Sequence, residues 1–212
     1  MKKIVLIIIL AILAILVINS MKGREEPLPR NDLQEEADYQ ATTEITAGNY
    51  EVVAGSEITW KGADLIKEHP GTLGISSGSF TVSEDGLVTG MVVMDMNSIT
   101  SGESIEQLEN HLRSADFFDV ENYSEATFLI NSYLNGSLSG DLTVKGITQP
   151  VSIPATIAMN GDTLVVSLDG SIDRTLWDIR FRSNNFFDDL GDQAIDDEIE
   201  ISGTINATAV EA

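Results

Sequence analysis

A chain of 212 residues leaves room, with a tether set aside, for one β-barrel or sandwich domain of ordinary size. Its 34 Asp and Glu against 12 Lys and Arg give a formal net charge of -22, which repels phosphate backbones and anionic lipid surfaces and argues against a nucleic-acid partner. Cysteine is absent, which excludes disulfides, thiolate metal sites, thiol nucleophiles and a lipidated Cys.

Lys2 and Lys3 precede an apolar run from Ile4 to Ile18 that has the form of an export signal. Fifteen helical residues span about 22 Å against a hydrocarbon core of about 30 Å, and Asn19, Ser20 and Met21 extend the run. No A-x-A-like cleavage site follows, because Ile18 stands where a small residue is wanted. Residues 1–23 are therefore read as a hydrophobic helix acting as a signal anchor, with a cleaved signal peptide as the alternative. Either way the protein is expected outside the cytoplasm, membrane-anchored if the segment stays and periplasmic or secreted if it is removed. Residues 24–48 are polar and acidic, carry Pro27 and Pro29, and show neither helical stripe nor strand alternation, so they read as a flexible linker.

From residue 49 to the end the texture is short segments of period two, the pattern of strands with one buried and one wet face. Leu138, Gly140, Leu142 and Val144 share one face against Ser139, Asp141, Thr143 and Lys145. Ile199, Ile201, Gly203 and Ile205 stand against Glu198, Glu200, Ser202 and Thr204. The same parity recurs in Ile58/Trp60, Phe80/Val82, Val92/Met94/Met96, Phe128/Ile130, Val151/Ile153/Ile157 and Leu164/Val166/Leu168, which predicts antiparallel strands. Glu84-Asp85-Gly86, Asn135-Gly136 and Asn160-Gly161-Asp162 supply short turns, the Asn-Gly pairs suiting type I′ hairpins. One stretch departs from this, since Ile105, Leu108 and Leu112 recur at helical spacing between Thr100 and Arg113, with Thr100/Glu103 or Ser104/Gln107 as a capping box. The predicted helix either closes one end of a barrel or lies flat against its outside.

Roughly eight such strands close as a barrel or stack as a sandwich, and periodicity does not separate the two. A barrel of that size fills itself with side chains or holds one small apolar ligand. Gly140, Gly170 and Gly203 on the inward face either taper the packing or leave space in it.

Four stretches in order carry a resemblance: His69-Pro70-Gly71; His111-Leu112-Arg113-Ser114-Ala115-Asp116-Phe117-Phe118-Asp119-Val120; Gly140-Asp141-Leu142-Thr143-Val144-Lys145-Gly146-Ile147-Thr148; and Ile172-Asp173-Arg174-Thr175-Leu176-Trp177-Asp178-Ile179-Arg180-Phe181, read as a late strand. Together they resemble the YceI-like family of lipocalin-like, polyisoprenoid-binding proteins. Tyr123-Ser124-Glu125 stands where that family usually has a Tyr-Pro pair. The resemblance implies an all-β, antiparallel lipocalin-like barrel of about eight strands with one short helix, an apolar cavity for an isoprenoid chain, and no catalysis. With strand parity it implies that Trp60, Phe80, Met94, Met96, Leu112, Phe117, Phe118, Phe128, Ile130, Leu142 and Trp177 line that cavity. No cofactor is implied beyond the lipid, an isoprenoid quinone or polyprenyl phosphate, and assembly as a homodimer stays open.

The candidate polar chemistry is sparse. His69 and His111 are the only histidines, lie outside any H-E-x-x-H spacing, and have no evident third metal ligand, so they are weighed as head-group contacts if the fold brings them together. Asp188, Asp189, Asp192, Asp196, Asp197 and Glu198 miss the spacing of a calcium loop and read as a solvated loop. Arg174, Arg180 and Arg182 gather in a chain poor in cations, and Arg174 is the candidate for a phosphate head group, with salt bridges to neighbouring acids as the plainer reading. A non-enzymatic surface or interaction module with a filled barrel is the alternative function.

Overall fold

The computed structural model describes residues 45–102 and 104–210, so the expected anchor and most of the linker lie outside the described residues. The chain runs β1 (Gly48–Val52), β2 (Glu57–Ala63), β3 (Glu68–Val82), β4 (Val88–Asp95), β5 (Thr100–Ser101), helix α1 (Glu106–Arg113), β6 (Glu125–Leu134), β7 (Ser137–Val144), β8 (Ile147–Asn160), β9 (Thr163–Asp173) and β10 (Glu198–Val210). Among the described residues no helix is long and apolar enough to cross a membrane.

All strand pairings are antiparallel, and the sheet closes because β10 pairs with β9 on one side and with β2 and β1 on the other. β1 and β2 lie end to end in one position, β1 beside residues 79–82 of β3 and β2 beside residues 68–74. Counting them once gives eight positions around the barrel. The break between them is tied in by Val53 N–H donating to Asn206 O at 2.8 Å and Ile75 N–H donating to Ser56 O at 3.2 Å. Closure settles barrel against sandwich: the strand order returns to its start, so among the described residues none of the eight positions is left as an edge, and only the two-residue β5 lies off the closed path.

Strand parity places side chains as the period-two pattern predicts. In β7 Leu138, Gly140, Leu142 and Val144 are buried while Ser137, Ser139, Asp141 and Thr143 are half-exposed. The turns follow their chemistry, with Asn135 and Gly136 both at positive φ (52° and 75°) as a type I′ turn requires. Lys145 and Gly146 take the same pair of conformations at 50° and 72°. Gly140 neither tapers the packing nor opens space. A Cβ there would sit 2.0 Å from Leu129 O, where the β6–β7 register shifts between Ile130 and Ser132.

The helix is shorter than its periodicity suggested. Thr100 and Ser101 pair with Thr72 and Gly71 of β3, so the chain stays extended there and α1 starts at Glu106. Ile105 is the N-cap with no side-chain cap, Ser104/Gln107 forms no capping box, and Glu103 lies outside the described residues. Ser101 Oγ instead accepts from Ile105 N–H at 2.8 Å, and Glu109 Oε1 accepts from Ser101 N–H at 2.9 Å, which ties the helix start to its second turn. The late strand also ends early: β9 stops at Asp173 and a 3₁₀ turn, Arg174–Trp177, follows.

The two ends differ. Short connections close one end, where Tyr50, Phe80, Val82, Val88, Leu164 and Ala207 are each 3% exposed or less. At the other end the chain between β4 and β6 and the chain between β9 and β10 fold across the opening.

Replacing Gly140 with Ala is expected to lower stability by about 1–3 kcal/mol, because its methyl has to displace the backbone of β6. Urea unfolding measures this, and an unchanged midpoint would contradict the close approach at the bulge.

Candidate binding cavity

The covered end holds a cavity of about 400 Å³. Its wall is made by the inward residues of the barrel strands, which the pleat presents every second position. Trp60 comes from β2, Met94 from β4, Phe128 and Ile130 from β6, and Leu142 from β7. Met96, in the 3₁₀ turn after β4, adds to the wall. The roof is Leu112 of α1 with Phe117 and Phe118 just beyond it, so the helix closes the barrel end and does not lie outside it.

Two of the residues assigned to the lining are elsewhere. Phe80 is fully buried, but at the filled end, where its ring lies against Gly90 of the paired strand. Trp177 is 1% exposed yet off the cavity wall, because the 3₁₀ turn replaces the strand parity from which its direction was read. Its indole N–H donates to Leu142 O at 3.0 Å, pinning the β9–β10 connection to β7.

Among the described residues, the side chains on the wall that titrate or carry charge are Asp64, His69, His111, Arg174 and Arg182. Arg174 is 3% exposed, and four of its N–H groups are taken by the protein. Nε donates to Asp196 O at 2.9 Å, one terminal nitrogen to Ile179 O at 2.7 Å, and the other to Ile195 O at 3.0 Å and Asp197 Oδ1 at 3.1 Å. Burial lowers its pKa from the ordinary value while Asp197, Asp173 and Asp196 act against that shift, and a guanidinium stays charged at physiological pH. This geometry is that of a clamp on its own loop, in place of the head-group contact expected from sequence. Asp197 completes the clamp by accepting from Ser183 Oγ at 2.9 Å and Asn185 Nδ2 at 2.7 Å, so this acidic stretch is not simply solvated. Arg180 and Arg182 are exposed, each with its guanidinium over a phenylalanine ring.

The two histidines border one cavity through different neighbours. The His111 ring meets Phe181 edge-on at 4.5 Å and Phe117 at 5.1 Å. His69 Nε2 lies 3.9 Å from Asp64 Oδ2. Asp64 Oδ1 accepts from the backbone N–H groups of Ile66 and Lys67, both at 2.8 Å, and these two bonds hold its carboxyl below the ordinary pKa. The Nδ1 atom of His69 and the Nε1 atom of Trp60 are buried with no hydrogen-bond partner. Sequence reasoning passed over Asp64 and Ile195, which lie in connections where no periodicity marks a direction, while Phe181, in the stretch expected to be a late strand, reaches the wall from the β9–β10 connection. The lining roles of Ile153 and Ile201 were legible in their parity.

Residues 50–207 match the YceI-like domain family. Protein YceI of Escherichia coli is 32% identical over 96 residues, covering 43% of this chain and 50% of that protein. A UPF0312 protein of Vibrio parahaemolyticus is 35% identical over 113 residues, covering 50% and 57%. The chain thus spans about half the length of the curated relatives it matches. Among solved structures, BcnA of Burkholderia cenocepacia aligns with a TM-score of 0.61 at 21% identity over 72% of this chain and 96% of that one. A polyisoprenoid binding domain from Saccharophagus degradans, implicated in plant cell wall breakdown, aligns at 0.57 and 14% identity over 78% and 100%. These likenesses show the fold.

Exchanging Arg174 for Met removes the clamp and leaves Asp197, 16% exposed, without its cation. A loss of about 3–5 kcal/mol is expected, together with faster proteolysis between residues 178 and 197. An intact unfolding midpoint would mean that Arg174 does not hold this loop.

Proposed function

The chain belongs to the YceI-like family, and from that membership together with its apolar cavity we propose that it binds a polyisoprenoid-type lipid inside the barrel, without catalysis and outside the cytoplasm. The observation that carries the reading is the wall itself: aliphatic, methionine and aromatic side chains from the barrel strands enclose a space of about 400 Å³, within the range of about 300–1,000 Å³ common for ligand pockets. Such a wall recognises methylenes and methyls and little else. Each buried CH₂ contributes about 0.8 kcal/mol, so a long hydrocarbon tail binds without many polar contacts. The structural likeness to a domain described as polyisoprenoid binding supports the same class of ligand. The alternative, an interaction module with a filled barrel, fits the hollow end less well.

Location is argued from the N-terminal segment. Lys2 and Lys3 ahead of the apolar run favour a cytoplasmic N-terminus, and Lys22 and Arg24 weaken that asymmetry. The barrel then sits beyond the membrane on the linker of residues 24–48. Protease added to cells whose outer envelope is permeabilised and whose cytoplasmic membrane is intact is expected to digest the C-terminal domain, and full protection would contradict export.

Lipid extraction and native mass spectrometry of the purified full chain test the ligand directly. The expected result is a bound species with an isoprenoid fragmentation series. Leu142, 6% exposed and on the wall, supplies the paired variant. Leu142→Glu sets a carboxylate against the tail or the core and is expected to abolish the bound lipid, destabilise the barrel, or both. Unchanged stability and unchanged lipid would remove the interior from the binding site.

A further inference from the structure

The wall carries one polar feature that the lipid tail does not explain. Trp60 and Gly62 are successive inward positions of β2, and across the ladder they pair with Gly71 and His69 of β3. Trp60 and His69 are therefore diagonal neighbours on one face, within reach of each other's side chains. Gly71 sets the indole: a Cβ there would meet Trp60 Cε2 and Cζ2 at 2.4 Å, so the ring rests over a position that only glycine leaves open. Gly62, beside His69, contributes no side chain to the space between them.

Trp60 Nε1 and His69 Nδ1 are the buried side-chain polar atoms left without a partner among the described residues. An unmet buried donor or acceptor costs about 1–3 kcal/mol, which is why folded proteins rarely keep one. Trp177 shows that this fold satisfies a buried indole where only structure is at stake, through Leu142 O at 3.0 Å. Two unmet atoms on diagonal neighbours of one sheet face, both residues lining an apolar cavity, point to a ligand that meets them.

Their chemistry specifies the ligand group. Indole Nε1–H only donates. Asp64 stands on the Nε2 side of His69 at 3.9 Å, and its carboxylate, held ionised by two backbone N–H groups, only accepts. Of the two neutral tautomers, the one with its proton on Nε2 turns that proton toward Asp64 and leaves Nδ1 as a lone-pair acceptor. The subsite thus offers one donor and one acceptor. A hydroxyl matches both, its oxygen accepting from Trp60 and its hydrogen donated to His69. A quinone carbonyl meets only the indole. An ionised phosphate meets only the indole and faces the charge of Asp64, while Arg174 is engaged by its own loop and Arg182 is exposed over Phe181 at 5.2 Å.

Resting on the lipid reading above, we infer that Trp60 and His69 form a hydroxyl-binding subsite, so that the preferred ligand is an isoprenoid with a free neutral hydroxyl, either a polyprenyl alcohol or the hydroquinone form of an isoprenoid quinone. The test uses the full chain after removal of co-purified lipid, with four probes of matched chain length: a polyprenol, its monophosphate, an isoprenoid quinone, and that quinone chemically reduced. Competition read by native mass spectrometry is expected to favour at least one hydroxyl probe over both the phosphate and the oxidised quinone by roughly tenfold, the effect of one ordinary hydrogen bond. Preference for the polyprenol alone, for the quinol alone, or for both identifies the source of the hydroxyl and supports the subsite. His69→Leu, which removes the acceptor, should bring that preference to within about twofold, whereas Trp60→Phe removes a donor that every head group can use and should weaken all four probes by similar factors, keeping their order. Phosphate or oxidised quinone binding as tightly as both hydroxyl probes overturns the inference on the unaltered protein, whether or not the variants fold. A preference that survives His69→Leu, or one that Trp60→Phe abolishes while His69→Leu leaves it intact, overturns the assignment to these residues. Failure of all four probes to bind is a different result, which removes the lipid reading itself.

Discussion

The ladder between β9 and β10, from Asp173↔Glu198 to Thr163↔Thr208, turns a sheet into a container. Its pairs set Leu164, Val166 and Leu168 opposite Ala207, Ile205 and Gly203, so two strands already amphipathic by alternation are forced to share one interior. Because β10 also carries β2, the same closure brings Trp60 beside Ile201 and fixes which β2 side chains reach the cavity. Left unpaired, β9 and the β10 side would be open edges and the apolar face would have no enclosed volume behind it.

The asymmetry of the interior follows from the connections. Tight turns such as Asn135-Gly136 bring neighbouring strands together at one end, and the inward aromatic and aliphatic residues there fill the space among themselves. At the other end the long connections must supply their own cover, and each brings side chains with it. The β4–β6 connection contributes Leu112, Phe117 and Phe118, and the β9–β10 connection contributes Ile179, Phe181 and Ile195. Edge-on contact of His111 with Phe117 and Phe181 joins these two covers, while the bridge between Asp64 and Ile195 joins the second to the β2–β3 turn.

Holding such a cover in place takes polar groups, and the structure uses them locally. Arg174 gathers three backbone carbonyls and Asp197, and Trp177 reaches Leu142. With these cations and donors committed to the loop, the wall contributed by the barrel strands is left largely apolar, Trp60 Nε1 and His69 Nδ1 being its unmet polar atoms among the described residues. The division is economical in physical terms: charge is placed where backbone carbonyls already need donors, and the interior is left to dispersion and the hydrophobic effect.

What the residues alone determined was whatever repeats along the chain. Period-two alternation marked the strands and their inward faces, and the Asn135-Gly136 turn chemistry marked a hairpin, because the pleat and the sign of φ are local properties. The apolar interior and the scarcity of titratable groups on it were legible for the same reason. Only the tertiary structure decided what depends on contacts between distant segments. It delayed the start of the expected helix to Glu106, since Thr100 and Ser101 gain ladder partners in β3. It turned Trp177 off the wall and made Arg174 a clamp, since the late strand gives way to a 3₁₀ turn, and two of the three carbonyls that Arg174 gathers, Asp196 O and Ile195 O, come from far along the chain. It sent Phe80 to the filled end and left Trp60 Nε1 and His69 Nδ1 without hydrogen-bond partners, because depth along a barrel axis and the satisfaction of a buried nitrogen are set by register across strands, and alternation along one strand carries no information about register.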